Sequence, residues 1–406
     1  MNVAFLHYAY PPAIGGVERV VEQQALLCAQ HGHQVRVFAR DGESIHPNIQ
    51  VIPTRLLQPD HPLTSAADRS LHDFRTNGAF ETCVEAFCEY WKRMLQESDV
   101  FIVHNLLTMH FNLAATASLH RIAGELEIPM INWIHDYAVL NPHYHLGSAD
   151  LYPWNLLRQF PERSVPVAVS DLRKRQYAEV THQSSQACRV IPNGIDPSKL
   201  LGLSERQAEF LDAFRLWERD LVLFHPARIL PRKNVEYSIA VLAELRKARH
   251  DALLLVSAAP DPHNATSERY REELLQLCVT EGIDADVIFV WEYEPVGDRE
   301  LAGLYAVSDA VIFPSHQEGF GLPVLEAGIH RIPLVAPNIQ PIAELAPASA
   351  ILFEPGTPPG EVARSIAGRI ERDRSLRERR ETVRRYGWNT LYEALIEPLL
   401  QEVTRR

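Results

Sequence analysis

The chain has 406 residues, 46% of them hydrophobic and 23% charged, with 52 acidic against 40 basic side chains and a formal net charge of −12. That length excludes a lone small module and suits two or three domains. The acidic balance excludes a general nucleic-acid binder, which needs a basic surface to displace counterions from phosphates, but it leaves room for a small phosphorylated ligand. The five cysteines, Cys28, Cys83, Cys88, Cys188 and Cys278, are scattered without close pairs. They read as reduced, buried thiols of a cytoplasmic protein rather than a zinc or redox motif. The start runs straight into an apolar strand without the basic region of a secretory signal. No apolar run reaches the roughly 18 residues of a spanning helix.

Short apolar runs alternate with longer amphipathic stretches, the pattern of βαβ units and a parallel sheet. In the first half Val3–Tyr8, Gln34–Arg40, Val100–Asn105, Pro129–Tyr137 and Val165–Ser170 read as strands, with Gly15–Gln30 and Asn112–Glu125 as helices between them. Around Arg189–Asp196 a strand ends in a Pro, Asn-Gly and Asp-Pro cluster, a strong turn signal that places a domain junction there. The second half opens with a charged helix near Ser204–Glu218. It continues with strands at Leu221–Pro226, Ala252–Ala258, Val287–Trp291, Ala310–Pro314, Pro333–Ala336 and Ala350–Phe353, and helices at Val235–Arg249, Glu268–Thr280 and Arg299–Val307. The arginine-rich stretch Arg364–Arg385 reads as a solvated helix leading into a last amphipathic helix that ends near Glu402. No fixed-period repeat is present, which disfavours a solenoid.

Ligands of open parallel sheets bind beyond the carboxyl ends of the strands, so the loops that follow strands carry the chemistry. After Ala310–Pro314, Gly319 and Gly321 bracket Phe320 just ahead of Leu322 and Pro323, an arrangement that lets a helix N-terminus face an anion. Glu318 and Glu326 stand on either side of that cradle. The same glycines would also serve a mere strand-to-helix turn. After Leu221–Pro226, Arg228, Arg232 and Lys233 precede a helix; Arg228 as a fork of donors and Lys233 as a point charge both suit a diphosphate. In the first half, Gly15 and Gly16 open a helix after the first strand, without the GxGxxG spacing of a dinucleotide dehydrogenase.

Taken together, the Gly15-Gly16 turn, the junction from Asn193 to Asp196, Arg228 with Lys233, and the block from Glu318 to Glu326 resemble, in order and spacing, the retaining nucleotide-sugar glycosyltransferases of family 4, the glycosyl transferases group 1. The resemblance covers nearly the whole chain, and the paired glutamates are its most specific element. It implies an α/β fold of GT-B architecture, two Rossmann-like doubly wound domains facing across a cleft. Residues 1–196 would form the acceptor-side domain and 197–386 the donor domain, with a helix at about 387–402 packing back on the first. It further implies Arg228 and Lys233 as ligands of the donor diphosphate, Glu318 beside the transferred sugar and Glu326 on the ribose. The backbone of Phe320, Gly321 and Leu322 would contact sugar and phosphate. On the first domain it implies Gly15 and Gly16 near the diphosphate, Asn193 among the substrate-binding residues and His135 as the active-site histidine. Asp136 would either orient His135 or touch the acceptor. Glu294 falls in the segment that usually frames the nucleobase, without being a specific match.

Two motifs resemble metal sites. Asp284-Ala285-Asp286 precedes a strand, on the side opposite the ligand edge, and reads as turn chemistry. His143 and His145 lack a third ligand and read as a loop. The expectation is therefore no metal and no cofactor, with the nucleotide sugar, of GDP-mannose or UDP-glucose type, as substrate. The net charge of residues 1–196, with 15 basic and 20 acidic side chains, favours a small soluble or sugar-like acceptor over a membrane surface. The basic run Arg173-Lys174-Arg175 leaves peripheral membrane contact open, and oligomeric state is unassigned. Two other functions stay open: a nucleotide-sugar 2-epimerase-like isomerase, and a non-catalytic two-domain sugar-binding protein.

Overall fold

The computed structural model of the chain describes residues 1–71, 76–144, 146, 150–259 and 265–405. Its contacts divide it into two units, Met1–Ile195 with Tyr386–Arg406, and Asp196–Arg385. In the first unit β1 (Asn2–Leu6), β2 (Gln34–Ala39), β3 (Ile49–Pro53), β4 (Val100–His104), β5 (Met130–Ile134), β6 (Ser164–Ala168) and β7 (Arg189–Val190) form one parallel sheet in the order β3-β2-β1-β4-β5-β6-β7. In the second, β8 (Leu221–His225), β9 (Ala252–Val256), β10 (Val287–Phe289), β11 (Ala310–Ile312), β12 (Leu334–Pro337) and β13 (Ile351–Phe353) form a parallel sheet in the order β10-β9-β8-β11-β12-β13. Both units are doubly wound α/β, the fold class expected from the sequence.

Every residue of β4, β5, β8 and β9 is buried, as strands covered by helices on both faces must be. Side chains alternate between the two layers. Val3 and Phe5 pack with Val20, Val21 and Cys28 of the helix Gly16–Gln30, whereas Ala4 and Leu6 pack with Phe80, Phe87 and Trp91 of the helix Gly78–Leu95 on the other face. All five cysteines are buried and unpaired.

Among the elements that lie where the sequence reading left gaps are β3 and the helices Pro62–Leu71, Gly78–Leu95 and Asp171–Thr181. Two readings are corrected. The helix starting at Ser204 stops at Ala213, before Arg215 turns left-handed with φ 52°. The arginine-rich stretch is two helices, Pro359–Arg372 and Arg374–Tyr386, and it is not wholly solvated. Arg380 is buried against Asp309, its Nε 3.1 Å from Oδ1, and Nη1 donates to the Leu216 carbonyl at 2.8 Å. Asp309 in turn accepts from the Val222 N–H at 2.7 Å, so the pair fixes the start of β8 beside that of β11.

The last segment, Trp388–Leu391, a π-turn at Tyr392–Ile396 and Glu397–Thr404, covers the first unit's sheet with Trp388, Tyr392, Ile396 and Leu399. Its entry is clamped by Ile195, whose N–H donates to the Tyr386 carbonyl at 2.7 Å and whose carbonyl accepts from Trp388 N–H at 3.1 Å. His33 Nε2 lies 2.8 Å from Glu397, which also accepts from Tyr392 at 2.7 Å.

Candidate functional site

In each sheet the strand order reverses at one place, between β1 and β4 in the first unit and between β8 and β11 in the second. Connections leave such a point toward opposite faces, opening a crevice beyond the carboxyl ends of the two strands.

In the second unit that crevice is lined by the loops after β8 and β11, which are stitched together. Asn234 takes the left-handed conformation, φ 58°, which asparagine tolerates, and its Nδ2 donates to the Pro314 carbonyl at 3.0 Å. The His316 N–H donates to the Arg232 carbonyl at 2.9 Å. This stitching brings the Lys233 ammonium against the Glu318 carboxylate, two side chains only 13% and 7% exposed; Arg232 lies 3.9 Å from the same carboxylate. Lys233 Nζ also sits 5.0 Å over the Phe313 ring. Arg228 is exposed and bonds no described side chain, so its charge is free for a ligand. Gly321, at φ 98°, turns the chain into the helix Leu322–His330, whose first N–H groups have no partner within the helix. Phe320 and Leu322 are 53% and 60% exposed there. Glu326 of that helix accepts from the Tyr305 hydroxyl at 2.5 Å, and burial together with this carboxylate raises the Tyr305 phenol far above its ordinary range.

Three further polar groups at this edge escaped the sequence reading or were left unspecific. His225, the last residue of β8, is fully buried with Nδ1 2.9 Å from the Ser238 hydroxyl, and burial reinforced by Lys233 pushes it down to about 3. Its Nε2 and the buried Ser315 hydroxyl have no described partner. Glu294 is buried, and that burial, with Glu300 nearby, raises its carboxyl.

At the first unit's switch point the glycines play different parts. A Cβ at Gly15 would stand 1.9 Å from the Glu18 carboxylate, whereas one at Gly16 would meet nothing within 4 Å. Glu18 lies 3.7 Å from His7 Nε2, and that histidine lowers its carboxyl. His7 Nδ1 bonds the carbonyl of His104 at 2.9 Å. His104 ends β4, fully buried between the rings of Phe5 and Trp133, and its Nδ1 lies 3.0 Å from Nε2 of His135, the first residue past β5. Burial, with His7 adding repulsion, pushes His135 down to about 3, and the same causes, joined by His135 itself, hold His104 well below the ordinary histidine range. His7 and Glu18 were not singled out from sequence, although His7 follows a strand just as His135 does. Asp136 is turned away from this cluster: its Oδ1 accepts from the Tyr137 N–H at 2.8 Å and from Arg173 at 3.1 Å, which also engages part of the basic run at 173–175. Asn193 is exposed in the junction.

Asp286 of the Asp-Ala-Asp motif is buried in ion pairs with Arg219 and Arg246, both at 3.0 Å, ahead of β10 and away from the ligand edge. His145 lies outside the described residues, and among those described no cluster of three or more His, Cys, Asp or Glu is arranged to hold a metal ion. No described helix is long and apolar enough to cross a membrane.

Comparison with known proteins completes the picture. Mannosylglucosylglycerate synthase of Petrotoga mobilis is 24% identical over 59% of this chain and 60% of its own length. The D-inositol 3-phosphate glycosyltransferase of Saccharomonospora viridis is 26% identical over 94% of this chain and 88% of its own. Among solved structures, sucrose-phosphate synthase from Thermosynechococcus elongatus aligns over the whole of both chains at 18% identity and a TM-score of 0.39, too low to bear on function. Residues 14–199 match the family model described as Glycosyltransferase Family 4, and residues 207–387 the one described as Glycosyl transferases group 1. With one model on each unit, in chain order, the chain belongs to the group 1 glycosyltransferases.

Proposed function

We propose that the protein is a retaining glycosyltransferase that moves a hexosyl group from a nucleoside diphosphate sugar, of GDP-mannose or UDP-glucose type, to a hydroxyl of a small soluble or sugar-like acceptor, without a metal or other cofactor. The observation that carries this reading is the contact of Lys233 with Glu318 at the second unit's switch point, beside the unengaged Arg228 and the helix that Gly321 opens. A cation already held in place and a second one left free suit a diphosphate, and a buried carboxylate beside them suits sugar hydroxyls. In this reading Glu326 binds the ribose, and the backbone of Phe320, Gly321 and Leu322 lies along sugar and phosphate. Gly15, Gly16, His135, Asp136 and Asn193 are the first unit's contribution to substrate binding.

As the bond from the anomeric carbon to the phosphate oxygen breaks, its electron pair goes to the leaving diphosphate, where Arg228, Lys233 and the helix N–H groups stabilise the growing charge. The acceptor oxygen forms the new bond on the same face, and its proton passes to that phosphate oxygen. The cations are thus most useful in the transition state, so their loss should fall on kcat. Release of nucleoside diphosphate, measured across a panel of nucleotide sugars with and without acceptor extracts, tests the assignment. Lys233→Ala and Glu318→Ala should each lower turnover by about 10²–10³ with the fold intact. Wild-type turnover in both variants refutes the site, and rearrangement of the donor without an acceptor favours the isomerase.

A further inference from the structure

His135 is held by two partners from the neighbouring strand β4 and the residue after it. Its main-chain N–H donates to Oδ1 of Asn105 at 2.9 Å, a buried residue in the left-handed conformation at φ 60°, and its ring meets that of His104. The Nδ1 to Nε2 distance of 3.0 Å is a hydrogen bond, so one of these nitrogens carries a proton and the other does not. The far side of the pair decides which. Nε2 of His104 is sealed from solvent and has no described partner. A proton there would leave a buried N–H unsatisfied, whereas a bare lone pair at that place costs less.

We infer that His104 is a positioning residue that carries its proton on Nδ1, donates it to Nε2 of His135, and so locks His135 as a neutral imidazole with its proton on Nδ1. The ring of His135 then offers substrate a fixed N–H donor and has no lone pair left to act as a base. Burial of both rings supports the neutral state. For the proposed transfer, His135 orients a sugar or acceptor oxygen, and the acceptor proton leaves by way of the phosphate. This functional half rests on the transferase reading above; the tautomer does not.

The tautomer is readable in the full-length, ligand-free chain by long-range proton–nitrogen correlation of histidine imidazoles, with His135 assigned by its loss in His135→Gln. We expect the Nδ1–H pattern in the wild type, the less common form of a free imidazole. His104→Asp presents an acceptor instead of a donor to Nε2 of His135 and should draw a proton onto that nitrogen. His104→Asn places an amide N–H near the former Nδ1 and should retain the wild-type pattern. Turnover of the nucleotide sugar should fall about tenfold in His104→Asp and recover in His104→Asn. An Nε2–H or doubly protonated His135 in the wild type overturns the inference, as does an unchanged Nδ1–H pattern in His104→Asp. If His104→Asp does not fold, loss of the pattern in His104→Asn overturns it equally. Because the spectra need no substrate, the tautomer and the transferase assignment fail separately.

Discussion

Gly15 and Gly16 are neighbours that are glycines for different reasons. At the first, a Cβ would have to displace the end of the flexible Glu18 side chain, which occupies its space. The second has open space there, and its extended entry into the helix imposes no left-handed strain, so nothing within its own unit demands a glycine. A ligand that approaches the backbone at that point would. Gly16→Ala should therefore leave the unfolding temperature unchanged or slightly raised, alanine being the better helix former, while donor turnover collapses. Gly15→Ala should lower stability by displacing Glu18 from His7. Normal turnover in Gly16→Ala would remove this residue from the site. At this scale Lys233, Glu318 and Glu326 were legible as residue types in a spacing, but their partners were not. Glu318 and Glu326 look alike in the sequence, yet one, in the loop, meets Lys233 and the other, in the helix that begins at Leu322, meets Tyr305.

Most of the strands that were legible are buried, since a continuous apolar run needs no neighbour to announce itself, and β13 was legible although it is an edge strand and only partly buried. β3, at the sheet edge and only partly buried, gave a weaker signal. The helix Gly78–Leu95 was missed despite buried residues at 80, 83, 84, 87, 88, 91 and 95, a spacing that is helical when traced. The terminal element depends on a glycine remote from it. A Cβ on Gly194 would lie 2.3 Å from the Trp388 ring, whose place between the junction and the sheet starts the C-terminal cover. Gly194→Ala should cost about 1–3 kcal/mol by overpacking, read as a lower denaturant midpoint, with amide exchange rising first in residues 388–404. Exchange unchanged in that segment would show that Trp388 does not anchor it.

Among the described residues, burial lowers His104, His110, His120 and His135 in the first unit and His225 in the second; His104 and His225 are fully buried, the others partly. His120 is pushed down to about 4, His135 and His225 to about 3, in each case first by burial. The unfolded chain binds their protons near pH 6.5 and the folded chain does not, so stability is complete above that pH and is lost as the pH falls toward the folded values. At pH 5 each histidine that stays neutral in the fold removes about 2 kcal/mol relative to neutral pH. Thermal unfolding should show a marked drop between pH 7 and pH 5, before the carboxylates titrate. A flat unfolding temperature over that window would mean that these rings take up protons in the folded state.

The sequence by itself determined the α/β class, two alternating halves, most strands and the residue types of the proposed diphosphate site, because apolar runs, glycines and prolines act over a few residues. Only the tertiary structure decided that Lys233 meets Glu318 across 85 positions, that His104 meets His135 across 31, and that Arg380 is buried rather than solvated. These contacts follow from which strands lie side by side in each parallel sheet. That order is set by packing of whole helices on both faces, and no local pattern encodes it.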